Sequence, residues 1–355
     1  MKGSGITRRG VLVGSSALAA GAVFSTRVMS AAPPATAITP QLIEAAKKEG
    51  KVVWYTSVDL PLAEKIAKSF EAKFPGVTVR VERTGAERVF QRIGQEYGSN
   101  IHAVDVANSS DAAHFIVWKG QGLLEAYVPE DVAKVYPAEH KDPDGMFASF
   151  RVWVSIIAYN TNLVKKEDAP KSFADLLDPK WKGKIVKAHP GYSGTIMTAT
   201  YQMQRDLGWG FFEKLAAQNV MQVQSSADPP KRLALGERAV MADGNEYNIF
   251  QIAEKDGPVA PVYATEGSPL IVGPTGMFKA APNPNAARLF CSYSFTAECQ
   301  QLIIDVGGLR SMHPDTKEKP GRTPFKQIKV MKDDPAAVEK MSDEIKQRYV
   351  TIFHV

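Results

Sequence analysis

Cysteine is almost missing from this 355-residue chain, with 2 residues in all, and histidine is scarce at 6. So few cysteines exclude a disulfide-stapled miniature. There is no CxxC, no HExxH and no histidine cluster at zinc-ligand spacing. An excess of one charge is also lacking, since 43 Lys and Arg stand against 38 Asp and Glu. Of the formal net charge of +5, four charges (Lys2, Arg8, Arg9 and Arg27) fall in the first 37 residues, which hold no acid, and this leaves +1 for the rest. Such a body has no basic stripe with which to displace counterions, so no nucleic-acid partner is expected. No run beyond residue 37 is apolar enough to span a bilayer.

What is present is the composition of a soluble globular protein, 44% hydrophobic with 16 Phe, 11 Tyr and 5 Trp, enough to fill two lobes rather than one small domain. The leading residues carry the most specific signal. Thr7-Arg8-Arg9-Gly10-Val11-Leu12 sets twin arginines before an apolar run from Gly10 to Phe24, and Ala35-Thr36-Ala37 follows as a small-residue cleavage site. A membrane anchor is the competing reading, but the run falls short of the roughly 20 residues a span needs. Residues 1–37 therefore read as a cleaved twin-arginine signal peptide, and the mature protein is expected to be periplasmic and soluble. Cys291 and Cys299 lie in a segment that reads as helix, with Thr296 a candidate break. Eight residues of unbroken helix rise about 12 Å, beyond disulfide reach, so two free, buried thiols are expected.

Along the chain the hydrophobic period switches repeatedly. A polar helix spans Pro40 to Glu49, and Val52-Val53-Trp54-Tyr55 is a short apolar strand. Leu62, Ala63, Ile66, Ala67, Phe70 and Phe74 recur at helical spacing until Pro75-Gly76. Val77, Val79 and Val81 alternate as a strand, Val89, Phe90 and Ile93 mark a helix, Val104-Asp105-Val106 is a third strand, and a helix runs from about Ser110 to Gln121. This β-α-β-α-β order implies a parallel sheet. A long apolar strand, Val152 to Tyr159, is placed to pass from one lobe to the other. Ser172 to Pro179 then reads as a capped helix, Gly183 to Lys187 as a strand, and a turn at Pro190 to Thr195 opens a helix through Met203. Gly236 to Ala242 and Ile271 to Lys279 read as strands, Asn245 opens a helix, and residues 314–340 form a Pro/Lys-rich wrapping segment.

Enzyme chemistry finds little support. Gly191-Tyr192-Ser193-Gly194-Thr195 lacks the last glycine of G-x-S-x-G, and Gly120-Gln121-Gly122 is a lone G-x-G. No enzymatic activity and no cofactor are expected. A different device repeats: a strand leads into a hydroxylated turn that opens a helix at Tyr55-Thr56-Ser57, at Asn108-Ser109-Ser110 and at Tyr192-Ser193-Gly194-Thr195. Free backbone N–H groups, the helix dipole and Ser/Thr hydroxyls bind anions at such turns, although the same residues also serve as ordinary helix caps. Tyr247 starts a helix just after a strand and should point towards the lobe interface.

The order of motifs resembles the periplasmic solute-binding proteins of ABC importers, in the cluster that contains the ferric-ion-binding proteins. The matching runs are Val52-Val53-Trp54-Tyr55-Thr56-Ser57, Phe70 to Val77, Val104-Asp105-Val106, Ile157-Ala158-Tyr159-Asn160-Thr161, Leu176 to Lys184 and Ser193-Gly194-Thr195. The resemblance covers about residues 40 to 315. It implies an α/β protein of the type 2 periplasmic-binding fold, each lobe a mainly parallel sheet flanked by helices, with ligand held between the lobes and delivered to a membrane permease. Lobe one is expected at 38–148 plus about 270–308, and lobe two at 149–269 plus about 309–355. The family's anion-holding turn falls on Ser193, Gly194 and Thr195, and its lobe-crossing strand carries Arg151. Ferric-binding relatives commonly present paired tyrosines, where this chain has Asn245-Glu246-Tyr247-Asn248 with one. Their other ligand positions fall on Val58-Asp59 and on Ser110 beside Asp111, a thin oxygen set for a hard cation.

The expected ligand residues are thus Ser57, Ser109, Ser110, Arg151, Ser193, Gly194, Thr195 and Tyr247, with Asp59, Asp111 and Tyr247 as the set that ferric iron would use. The leading expectation is a monomeric carrier of a small anionic solute, a phosphonate, phosphate ester or carboxylate. A ferric carrier is the alternative, and an exported hydrolase comes third.

Overall fold

The computed structural model describes residues 31–355, so the twin-arginine run and the apolar stretch after it lie outside the described residues. After the helix Pro40–Glu49, β1 (Lys51–Thr56), β2 (Thr78–Arg83) and β3 (Val106–Asn108) alternate with the helices Leu60–Lys73 and Ala86–Gly98. β1 pairs in parallel with both β2 and β3, with Trp54 opposite Val81 and Val106. Five of its six residues are buried, as a strand covered by helices on both faces requires.

β4 (Ala148–Val154) follows in the first sheet, and the chain then passes into a second sheet of β5 (Ile157–Asn160), β6 (Ile185–Ala188), β7 (Met221–Val223), β8 (Val240–Met241) and β9 (Val259–Val262), in the order β7-β6-β8-β5-β9. β10 (Ser268–Met277) returns to lie antiparallel to β3 and β4, and β11 (Val330–Met331) completes the first sheet at its edge. Each sheet has its own apolar core. Trp54, Phe70, Phe150, Phe290 and Tyr293 gather in the first, and Phe173, Trp181, Phe211, Phe212 and Tyr349 in the second. The molecule is therefore a two-lobed mixed α/β protein. The final helix, Pro335–Phe353, joins the lobes: Tyr349 enters the second core while Val338 and Ile345 pack with Ala113 and Met197.

Four local expectations change. The strand expected over Val152 to Tyr159 breaks, because the Ser155 N–H donates to the Pro269 carbonyl in the first sheet and the Ile156 N–H to the Gly244 carbonyl in the second lobe. The change of sheet thus falls at residues 155–156. Ser172 to Pro179 forms two short 3-10 turns, Ala174–Leu177 and Pro179–Trp181, rather than a helix. Asp175 accepts there from the Lys171 and Ser172 N–H groups, and Asp178 is held extended before its proline. Only Val240–Met241 pairs within the strand expected over Gly236 to Ala242. The wrapping segment ends at Asp334, whose carboxylate accepts from the Ala337 N–H and starts the last helix. The helix around the cysteines is broken, as Pro284–Ser294 and Ala297–Asp305, and both thiols are free and buried.

Candidate functional site

The strands of both sheets point their C-terminal ends at one cavity of about 150 Å³. Ser57 follows β1, Thr84 follows β2 and Ser110 follows β3; from the other lobe, Ser193 follows β6, Ser225 and Ser226 follow β7, and Asn245 and Tyr247 follow β8. Strand ends of this kind are where open α/β sheets hold ligands.

Arg151, on β4, forms the floor. It is 2% exposed, donates to the Ser57 Oγ at 2.8 Å and lies 4.8 Å over the Trp153 ring. Its Nε–H has no partner, and it forms no ion pair among the described residues. Burial accordingly pushes its pKa down, although Tyr247 and Asp59 nearby act in the opposite direction. Room for the guanidinium comes from Gly273 on β10, where a Cβ would come within 2.9 Å of the Arg151 Cγ. Arg83 and Arg88 also line the cavity, against a single carboxylate, Asp59, which Arg83 approaches at 3.4 Å. Three guanidinium groups facing one carboxylate leave the cavity cationic.

The opposite wall is a hydrogen-bonded cluster. The Trp153 indole N–H donates to Asn245 Oδ1 at 3.1 Å, and Asn245 Nδ2 lies 3.0 Å from the Tyr247 hydroxyl and 3.2 Å from Ser226 Oγ. Tyr247 packs edge-on to Trp153, and burial raises its phenol pKa far above the ordinary value. A neutral phenol can donate to an anion, whereas a metal would require its phenolate.

The three hydroxylated turns separate in role. At the first, Ser57 reaches the cavity, but the helix behind it begins three residues later at Leu60, with Asp59 in the N-cap position making no side-chain capping bond. At the second, Ser110 lines the cavity, while Ser109 is buried against His114, Oγ to Nδ1 2.8 Å. Only the third is a helix N-terminus aimed at the cavity: Ser193 caps Gly194–Leu207, with its Oγ 3.5 Å from the Ile196 N–H. Thr195 lines the cavity there, and Gly194 packs so closely on Asp111 that a Cβ would meet its Cβ at 2.7 Å.

Asp111 does not line the cavity. It accepts from the Ala113 N–H and lies 3.9 Å from His114 Nε2, in a buried group with Glu87. Glu87 is 3.1 Å from His114 Nε2 and 3.1 Å from Lys346 Nζ. Burial alone would lower the His114 pKa, but the Asp111 charge and the Glu87 hydrogen bond raise it. Two carboxylates, Asp111 and Glu87, thus face His114 and Lys346 in this buried group. Asp59, Asp111 and Tyr247 are not brought to one point. Sequence reading missed Arg83, Arg88 and Asn245. The signal for the first two was present, because Arg83-Thr84-Gly85 ends β2 and opens a helix capped at Gly85, the same strand-to-helix device a third time in this lobe.

A family model described as bacterial extracellular solute-binding protein matches residues 105–330. Iron uptake protein A1 of Synechocystis sp. is 25% identical over 244 residues, covering 64% of this chain and 66% of that protein. A putative 2-aminoethylphosphonate-binding periplasmic protein of Salmonella typhimurium is 26% identical over 245 residues, 66% of this chain and 69% of that protein. Among solved structures, the periplasmic binding protein AfuA from Actinobacillus pleuropneumoniae, with fructose-6-phosphate bound, superposes with a TM-score of 0.79 at 24% identity, over 86% of this chain and 99% of that one. At that identity the superposition speaks for the fold.

Proposed function

This chain belongs to the bacterial extracellular solute-binding proteins, and from that premise we propose that it is the periplasmic binding protein of an ABC importer, capturing a small phosphonate, phosphate ester or carboxylate between its lobes. The observation that carries this reading is Arg151, a buried guanidinium on the cavity wall without a carboxylate partner and with an unpaired Nε–H. A buried charge is costly unless paired, so the natural complement is an anion supplied from outside. The Gly194–Leu207 helix N-terminus and the Ser57, Ser110 and Thr195 hydroxyls supply further donors. A putative 2-aminoethylphosphonate-binding relative and a structural neighbour that holds fructose-6-phosphate agree with this chemistry.

We read the lobes as the two sheets with their helices and the crossings near residues 155–156 and 263–267 as the hinge. Closure on ligand would bring Thr195 towards Ser57 and Arg151, and the closed form would engage a membrane permease. A ferric carrier is the second reading, favoured by the iron-uptake relative and by Tyr247 with Asp59 in the cavity wall. No hydrolase is proposed.

The test is a thermal-shift panel of phosphonates, sugar phosphates, carboxylates and ferric salts on the purified protein, followed by calorimetry. Phosphonates or phosphate esters are expected to raise the melting temperature without colour. A coloured one-to-one ferric complex that vanishes in Tyr247→Phe would establish the iron reading instead.

A further inference from the structure

The A-x-A site at Ala35-Thr36-Ala37 is part of the folded body. The Thr36 N–H donates to the Val128 carbonyl at 2.9 Å, and the Thr36 carbonyl accepts from the Glu130 N–H at 3.1 Å, a parallel bridge beside Pro129. Glu130 opens the helix Glu130–Val135, so Thr36 satisfies a donor that this helix cannot pair internally. Upstream, Pro33 and Ala32 seat on Gly145, whose φ of +73° and missing Cβ admit them: a Cβ there would meet Pro33 Cδ at 3.1 Å and Ala32 Cβ at 3.2 Å. Ala32, Pro33 and Ala35 also roof an apolar cavity of about 530 Å³ lined by Val132, Met277, Cys291 and Phe295. Downstream, Ile38 packs on the first core and Thr39 caps the helix Pro40–Glu49.

We propose that export processing cuts N-terminal to Ala32, so that residues 32–37 stay on the mature protein as a strap, and that the Ala37–Ile38 bond is not the processing site. A peptidase binds its substrate extended and stripped of other pairing. Here the residue before Ala37 spends both backbone groups on the body, and the residue after the bond is packed. The conflict matters because the twin-arginine route carries chains that have already folded, and this proposal rests on that export reading. The sequence offers an earlier place, since two small residues, Ser30 and Ala31, stand immediately before Ala32.

The full precursor, expressed in a bacterium with twin-arginine export, is recovered from the periplasm and its intact mass measured. A mature chain starting at Ala32 or earlier supports the strap. One starting at Ile38 overturns it. A precursor that stays uncut in the cytoplasm overturns the export reading and the proposal with it. As an independent measurement, chains starting at Ala32 and at Ile38 are purified and compared. The shorter is expected to melt several degrees lower and to expose Cys291 to alkylation at least about tenfold faster, because the thiol lies under the strap. Equal melting and equal alkylation would refute the strap as part of the fold.

Discussion

Arg151→Met removes the buried guanidinium while keeping most of its volume, and two effects of opposite sign should follow. In the ligand-free protein the change deletes a hydrogen bond to Ser57 and a contact over Trp153, together worth about 1–3 kcal/mol. It also deletes the several kcal/mol, in order of magnitude, that burying an unpaired cation costs. The melting temperature without ligand is therefore expected to hold or rise. Binding moves the other way, since a charge-assisted hydrogen bond to an anion contributes about 1.5–3 kcal/mol, or roughly 10- to 150-fold in Kd. Arg310 provides the contrast. It is nearly as buried at 3% but forks onto Glu246, with Nε to Oε2 at 3.0 Å and NH2 to Oε1 at 2.6 Å. Arg310→Met leaves Glu246 buried with its main partner gone and should destabilise by about 3–5 kcal/mol. Scanning calorimetry and titration of the panel's best ligand on the same samples decide the matter. Arg151→Met that binds normally but melts well below the parent would show a structural arginine and refute the reasoning.

Thr195→Val keeps shape and removes a hydroxyl on the cavity wall. It should weaken the anionic ligand several-fold in calorimetry and leave the melting temperature nearly unchanged, while Ser193→Ala should lose little stability because its capping contact is long at 3.5 Å. His114 has its folded pKa raised above the ordinary 6.5, so its contribution to stability is complete below that value and lost as pH rises through the folded one. The advantage of the parent over His114→Asn in melting temperature should therefore shrink as pH rises above the ordinary 6.5, and an advantage that does not fall with rising pH would contradict the charged pairing with Asp111 and Glu87.

How much of this was legible in the sequence depends on the range of the interaction that decides each feature. β1, the helix Leu60–Lys73 and the helix Gly194–Leu207 rest on local periodicity and caps, and they form close to where the pattern places them. The apolar run from Val152 to Tyr159 has no local signal for a break. The break is made by Pro269 and Gly244, each more than eighty residues away, which take one backbone donor apiece. Of the turn residues, Ser57, Ser110, Ser193 and Thr195 reach the cavity, because each follows a parallel strand, and that order is written in the chain. Ser109 and Asp111 share those turns yet face His114, a choice fixed by the helix Ala86–Gly98, which brings Glu87, and by the last helix, which brings Lys346.

The charge of the site shows the same division more sharply. A sequence that nearly balances 43 basic against 38 acidic residues gives no sign of a cationic cleft. The imbalance arises because the end of β2 and the middle of β4, distant in sequence, meet at one cavity and bring Arg83 and Arg151 there, while Asp111, the acid that could have offset them, is held against the Gly194–Leu207 helix beside His114. Had Asp111 faced the cavity beside Asp59, two carboxylates and a tyrosine would have offered a hard cation three oxygen ligands. The buried His114 cluster therefore bears on specificity without lining the cavity. By holding one carboxylate away from the cleft it would, on the proposed reading, favour an anionic ligand over a metal.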